Sequence, residues 1–321
     1  MMWSLCALVL GFFMDLLLGD PHSPFHPVAG MGRLIAWLEK GLRRIVPKTA
    51  GGEKCAGGVL WLIVAGTSAA IPAAVLILCS KISPWLRLGA ESVLCWQVLA
   101  TKSLRDESMK VYDCLKTGTI EKARFAVSMI VGRDTERLDG AGITRAAVET
   151  VAENTSDGIV APMVFLALGG APLGFFYKAA NTMDSMLGYW EEPYRNIGCI
   201  PAKADDMLNF LPARLSAVLM LAAGWLLGMD AHNGRRIFKR DRYRHASPNS
   251  AQTESVCAGL LGIRLAGDAW YHGVLHKKET IGDAVREIEY EDIPRACRLM
   301  YGTAFLSLLL CTVLRLLIIR L

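Results

Sequence analysis

Nine cysteines are scattered singly along the 321 residues, and no two form a CxxC pair. Several, including Cys6, Cys79 and Cys311, fall inside apolar runs, so free buried thiols are expected. That excludes a disulfide framework, a zinc ribbon and an iron–sulfur cluster. The chain also lacks a GxxxxGK[ST] loop, and with it the usual phosphate cradle of P-loop nucleotide enzymes. It has no internal repeat, no low-complexity tract and no DNA-binding motif. The densest basic run, Arg235 to Arg244, contains Phe238 and Tyr243 but no known DNA-binding motif accompanies it, so no nucleic-acid partner is expected. The first apolar stretch lacks a basic leader and runs into Gly19-Asp20-Pro21 rather than a small-x-small cleavage site, and it reads as a retained helix.

Apolar sequence, by contrast, is abundant. Hydrophobic residues make up 53% of the chain and charged residues 20%, with a mean hydropathy of +0.33. This is too apolar for an ordinary soluble domain and too charged for a bare bundle. Membrane spans are expected at residues 3–18, 56–79, 159–177, 215–229 and 302–319, set against the roughly 20 residues that a spanning helix needs. Residues 84–104 are amphipathic, interrupted by Arg87 and Glu91, and read as spanning, interfacial or packed on the bundle. The 159–177 run contains Pro162, Gly169, Gly170, Pro172 and Gly174, a composition suited to a broken or re-entrant segment. The expected fold is therefore all-α. It is a polytopic integral membrane bundle with polar interfacial helices, one membrane-embedded domain over 1–321, multi-pass in the cell membrane. The basic run after residue 229 reads as a positive-inside anchor or as a surface for phosphate-bearing ligands.

Polar residues at helical spacing flank the broken run. From an N-cap at Thr144, Glu149, Glu153 and Asp157 stand at i, i+4 and i+8 on one face, with only Arg145 as a nearby partner. Such a face is either solvated or answered by a divalent cation or a basic ligand group. Lys178, Asn181, Asp184 and Ser185 form a second face, able to meet a phosphate, a hydroxyl or a metal, or to make a buried polar network. Asp205, Asp206 and Asn209 form a third cluster of oxygen donors that suits Mg²⁺, unless the acids merely cap a helix. The three faces are expected to converge. His26, which follows the first span, reads as a turn residue, a base or a ligand.

Taken together, these motifs resemble the CobD/CbiB family, adenosylcobinamide-phosphate synthases of cobalamin biosynthesis, over essentially the whole chain. The matching residues are GDPHSPFHPVAGMG at 19–32, RDTERLDGAGITRAAVETVAENTSDGIVAP at 133–162, GGAPLGFFYKAANTMDSMLGY at 169–189, KADDMLNFLPARL at 203–215 and SPN at 247–249. The last third departs from the family. Ser250 to Glu254 replace a small glycine-containing turn, and Leu265-Ala266-Gly267 stands where Leu-Gly-Gly is usual.

The resemblance implies an acid–amine ligase that joins a carboxylate of adenosylcobyric acid to aminopropanol or its phosphate, working at the bilayer alongside other cobalamin-pathway enzymes. At neutral pH the carboxylate is a poor electrophile and the amine is protonated, so activation by ATP with Mg²⁺ is expected. On this reading Glu149, Glu153, Lys178 and Asp184 are catalytic candidates. His26, Arg133, Asn154, Asp157, Asn181 and Arg214 are substrate-binding candidates, and Asp205, Asp206 and Asn209 hold the metal. The corrinoid would enter at the glycine-rich break beside His26, and the active site would face the cytoplasm. Two rivals are a Mg²⁺-dependent prenyl- or alcohol-phosphate transferase and a non-catalytic corrinoid-channelling protein. The first should carry its acidic motif on two helices, whereas DDxxN occurs once; the second would tolerate Asn in place of its acids.

Overall fold

The computed structural model describes residues 2–21, 23, 26–189, 191–271 and 273–320, with side chains described through Leu317. It is predominantly helical, and four of its helical stretches are long and apolar enough to cross a membrane. In chain order the helices are α1 (Met2–Leu18), α2 (Pro27–Ile45), α3 (Ala50–Ile82), α4 (Pro84–Trp96), α5 (Thr101–Thr117) and α6 (Ile120–Ser128). Then come α7 (Gly140–Asn154), a π-helical turn (Thr155–Val160), α8 (Ala161–Leu187), α9 (Cys199–Leu226), α10 (Ala231–Asp241), α11 (Ser250–Leu261) and α12 (Asp292–Arg320). The all-α polytopic membrane fold expected from hydropathy is what these helices build.

Two compact units share the chain: residues 1–100, 161–209 and 310–321 in the first, and 101–160 and 210–309 in the second. In the first unit α1 packs on α4, and α3 on α8 and α4, with α2 laid against α3 and α8. Its core is filled by Leu8, Phe12, Leu60, Val64, Met163, Leu166 and Met183. In the second unit α10 packs on α11, α5 on α6 and α7, and α11 on α7. Its core uses smaller residues, including Ala123, Ala146, Ala147, Val148, Val256 and Ala258. Small side chains let helix backbones approach closely: a Cβ on Gly259 would lie 2.7 Å from the Cα of Gly234.

Several helix boundaries differ from those read off the hydropathy. Residues 84–104 form no single helix. α4 has 13 residues, too few to cross, and a break before Thr101 opens α5. The helix expected at 215–229 begins 16 residues earlier, at Cys199, so Asp205, Asp206 and Asn209 lie inside it rather than capping it. Hydropathy marks where lipid can surround a helix, whereas backbone hydrogen bonding continues through polar turns that protein covers. α7 starts at Gly140. Asp139 is its N-cap, and the Asp139 Oδ1 accepts from the Gly142 N–H at 2.7 Å, a bond worth about 1 kcal/mol. Thr144 lies within the helix and returns its hydroxyl to the Gly140 carbonyl.

The break in the glycine-rich run falls at Gly169 and Gly170, which leave helical geometry inside α8. Gly170 has φ +66°, and a Cβ there would sit 2.5 Å from the Glu91 Oε1, so both backbone and packing require glycine. Two small antiparallel ribbons that no periodicity signalled complete the second unit, pairing Leu265–Ala266 with Thr280–Ile281 and Ala269–Tyr271 with Val274–His276.

Candidate active site

In the second unit, α7 delivers Glu149, Glu153 and Asn154 to a cavity of about 160 Å³ that Arg133, His245, Glu254, Tyr271 and Lys278 also line. Both oxygens of Glu149 are engaged. Oε2 pairs with the Arg133 guanidinium, and Oε1 accepts from the Ala266 N–H at 2.6 Å. Arg145, four residues before Glu149, turns elsewhere and donates to the Arg264 carbonyl. A partner 16 positions away displaces the helical neighbour because the 133–139 segment folds back along α7.

Glu153 presents its carboxylate to the same cavity, with Oε1 held by the Ser250 hydroxyl at 2.7 Å. Asn154 donates to the Thr150 carbonyl. Asp157 falls in the π-helical turn, where i→i+5 bonding widens the spiral and ends the simple i, i+4, i+8 face. Glu254 is fully buried. Burial, followed by the charges of Glu153 and Glu149, pushes its pKa well above the ordinary 4.5. Burial likewise lowers His245, with Glu153 pulling the other way. The His245 Nδ1 accepts from the Ser247 N–H at 3.1 Å, so the neutral ring carries its proton on Nε2.

Neither Glu254 nor His245 was a candidate from sequence. Glu254 sits in an apolar, small-residue helix with no charge pattern. The one available signal was that Ser250–Glu254 is where the chain departs from the sequence pattern it resembles. The second departure is structural too: Ala266 is the only non-glycine residue with positive φ among the described residues, at +56°. Its N–H is the one that holds Glu149.

Arg214 occupies the same unit without entering this cavity. It lies over the Phe210 ring, donates to the Phe210 carbonyl and reaches the Asn249 Oδ1 at 3.2 Å. Next to the cavity is a wider cleft of about 1050 Å³ between α6, the 133–138 segment and Trp270, and Arg133 lines both.

The first unit holds a different cluster. Asp205 is buried, and its Oδ2 accepts from the Asn209 Nδ2 at 2.9 Å. The Asn209 Oδ1 accepts from the Tyr177 hydroxyl at 2.7 Å, so both of its amide atoms are committed. The Asp205 Oδ1 is buried without a hydrogen bond of good geometry, and Asn181, Asp184 and Asp206 stand around the carboxylate. The second and third faces read from the sequence thus meet each other. The Glu149 face belongs to the other unit.

Among the described residues no group of three or more His, Cys, Asp or Glu is arranged to hold a metal ion. The donor set still fits a cation in one respect, the orphaned Asp205 oxygen. Mg²⁺ commonly needs only one or two carboxylates when it arrives with phosphates. Asn209 orients Asp205 in this arrangement rather than serving as a ligand.

His26 and Lys178 line a further cavity of about 600 Å³ with Asp20 and Gln97. The His26 Nε2 is 3.9 Å from the Asp20 Oδ1. Burial lowers the His26 pKa, Asp20 raises it and Lys178 lowers it again. Gly169 lines a separate cavity, so His26 and the helix break do not form one mouth.

A family model described as CobD/Cbib protein matches residues 8–300. The chain belongs to the CobD/CbiB family. Cobalamin biosynthesis protein CobD of Clostridium perfringens is 43% identical over 308 residues, covering 96% of this chain and 97% of the relative. The CobD protein of Yersinia enterocolitica is 46% identical over 316 residues, 98% of this chain and 99% of its own length. Cobalamin biosynthesis protein CbiB of Salmonella typhimurium is 44% identical over 310 residues, with 96% of each chain covered. No solved structure matches the chain. The CobD/CbiB motif at 133–162 supplies Arg133, Glu149, Glu153 and Asn154 to the second unit's cavity, and the motifs at 169–189 and 203–215 supply the Tyr177–Asn209–Asp205 chain. His22, Pro24 and Phe25 of the motif at 19–32 lie outside the described residues.

Proposed function

We propose that this CobD/CbiB family member acts in cobalamin biosynthesis as an adenosylcobinamide-phosphate synthase, joining a carboxylate of adenosylcobyric acid to the amine of aminopropanol or its phosphate. The observation that carries the reading is the second unit's cavity, where fixed carboxylates and fixed cations line one space. Amide formation requires both. A cationic ammonium must be held and stripped of a proton, and an anionic carboxylate or phosphate must be brought beside it. Arg133 and Lys278 suit the anionic groups, with Arg133 at the junction to the wider cleft where a bulky amphipathic corrinoid has room. Glu153, with one oxygen anchored by Ser250, suits the ammonium and takes one proton from it before attack, freeing the nitrogen lone pair; the second N–H proton leaves with the expelled phosphate as the amide forms. Glu149, held by Arg133 and the Ala266 N–H, positions the arginine. His245, protonated on Nε2, and Glu254, tending to keep its proton, are suited to donating hydrogen bonds to a developing oxyanion.

ATP with Mg²⁺ would supply activation, converting the substrate carboxylate to an acyl phosphate with release of ADP, so that attack by the amine expels phosphate. Asp205 is the residue proposed to meet such a cation, with Asp184 and Asp206 beside it. A site facing the cytoplasm follows from where ATP and corrinoid intermediates are found.

The test is turnover by purified protein in detergent or nanodiscs, given adenosylcobyric acid, aminopropanol phosphate and ATP, with and without Mg²⁺. Amide product formed in step with ADP is expected; AMP instead would replace the acyl phosphate with an acyl adenylate. Product without nucleotide refutes the activation route, and tight corrinoid binding without any product favours the channelling alternative.

A further inference from the structure

Elsewhere in the first unit, three charged side chains surround a cavity of about 350 Å³ among the helices: Arg87, Glu91 and Arg315. Ser4, near the start of α1, and Ser80, near the end of α3, complete its polar wall, and Gly169 and Pro172 bring the break in α8 to its edge. Arg315 is 9% exposed and Glu91 1%. Buried charge among apolar helices is costly and calls for an explanation.

Part of the explanation is local. The break at Gly169–Gly170 frees carbonyls, and Arg315 donates from Nη1 to those of Ala167 and Leu168. Glu91 Oε2 accepts from the Ser4 hydroxyl at 3.1 Å. The remainder is not satisfied internally. Arg87 Nε stands 3.7 Å from Glu91 Oε2, beyond a hydrogen bond, and both Arg87 Nε and Arg315 Nε are buried with no acceptor. Two guanidinium groups against one carboxylate leave the cavity with an excess positive charge and two donors unanswered.

The surroundings indicate where an acceptor would come from. Ile77 lines the cavity and is 59% exposed; Ile82 is 75% and Trp85 72% exposed on the helices beside it. Trp85 packs edge-on against Trp3 with ring centroids 5.1 Å apart. Exposed aliphatic side chains with a tryptophan pair at the helix ends are the pattern of a bilayer interface. We infer that this cavity is a binding site for the phosphate of an anionic membrane lipid, whose oxygens accept from Arg87 and Arg315 while its acyl chains lie along Ile77 and Ile82. A diester phosphate matches the guanidinium fork, and its chains match the apolar flank.

The experiment compares lipids on the delipidated protein in neutral detergent by native mass spectrometry and thermal shift. Phosphatidylglycerol, phosphatidylcholine and inorganic phosphate are titrated separately. Wild type should retain and be stabilised by phosphatidylglycerol at about tenfold lower concentration than phosphatidylcholine, which carries the same diester phosphate but adds a choline cation that the cavity's excess positive charge disfavours. Arg87→Gln, which leaves the Arg315 cap intact, should abolish that preference; Arg87→Lys should keep part of it. Equal response to the two lipids, or an unchanged preference in both Arg87 variants, overturns the site. An equal thermal shift from inorganic phosphate at matched concentration overturns the lipid source. Should Arg87→Gln not fold, the wild-type lipid comparison and Arg87→Lys decide the matter.

Discussion

The two acidic clusters answer the same electrostatic problem in opposite ways. Around α7 each carboxylate has a named partner: Glu149 an arginine and a backbone amide, Glu153 a serine hydroxyl. Around α9 Asp205 lies beside Asp184 and Asp206, and its own partners are neutral: Asn209 oriented by Tyr177, with Asn181 alongside. The first arrangement is complete before any ligand arrives, and its groups are oriented for chemistry on a bound molecule. The second leaves a buried carboxylate oxygen without a donor, which a cation or a proton would relieve. A preorganised site and a site that awaits charge should respond differently to mutation, and that difference can be tested.

The largest effect is expected at Glu153. Glu153→Gln keeps the shape and the Ser250 contact but removes the proton acceptor, and turnover should fall about 10²–10⁴-fold with substrate KM little changed; an equal loss through KM alone would make Glu153 a binding group. Next is Asp205→Asn, which should raise the Mg²⁺ concentration needed for half-maximal turnover while raising thermal stability, because a buried carboxylate beside Asp184 is neutralised. An unchanged Mg²⁺ requirement in this variant would remove the cation assignment and leave the α9 cluster a packing network.

A smaller effect separates the clusters by pH. The folded pKa of Glu254 lies well above its unfolded value of 4.5, so the unfolded state releases this proton first. Its contribution to stability is therefore lost progressively as pH rises from about 4.5 to the folded pKa, and is constant above it. Glu254→Gln should flatten that part of the melting-temperature profile; a profile identical to wild type would mean that Glu254 ionises normally. The smallest change is Ala266→Gly. Relief of the positive φ should stabilise the protein by about 1 kcal/mol, measured by denaturant or thermal unfolding, with activity retained because the N–H to Glu149 is kept. Destabilisation instead would show that the Ala266 methyl packs usefully.

Much of the site was legible from spacing. Glu149 and Glu153 share a face because α-helical geometry alone puts i and i+4 together, and Asp184 and Asp205 were recognisable as carboxylates beside apolar helices. Their partners were not legible. Arg133 reaches Glu149 across 16 residues, Ser250 reaches Glu153 across 97, and Tyr177 reaches Asn209 across 32. A one-dimensional pattern carries no information about such pairings. Glu254 was hidden for a related reason: a single acid in a small-residue helix looks the same whether it faces water or is sealed in a core.

Composition and periodicity by themselves determined that the chain is a helical membrane protein, that its long apolar run at 159–177 is suited to a break, and which motifs tie it to the CobD/CbiB family. Those properties depend on local backbone preference and on transfer of side chains from water, which each segment carries with it. Tertiary structure alone decided that Glu149 pairs with Arg133 rather than Arg145, that Asn209 is spent on Asp205 and Tyr177, and that Arg315 closes the broken helix. These depend on which donors and acceptors are buried beside one another, and only the folded chain brings them together.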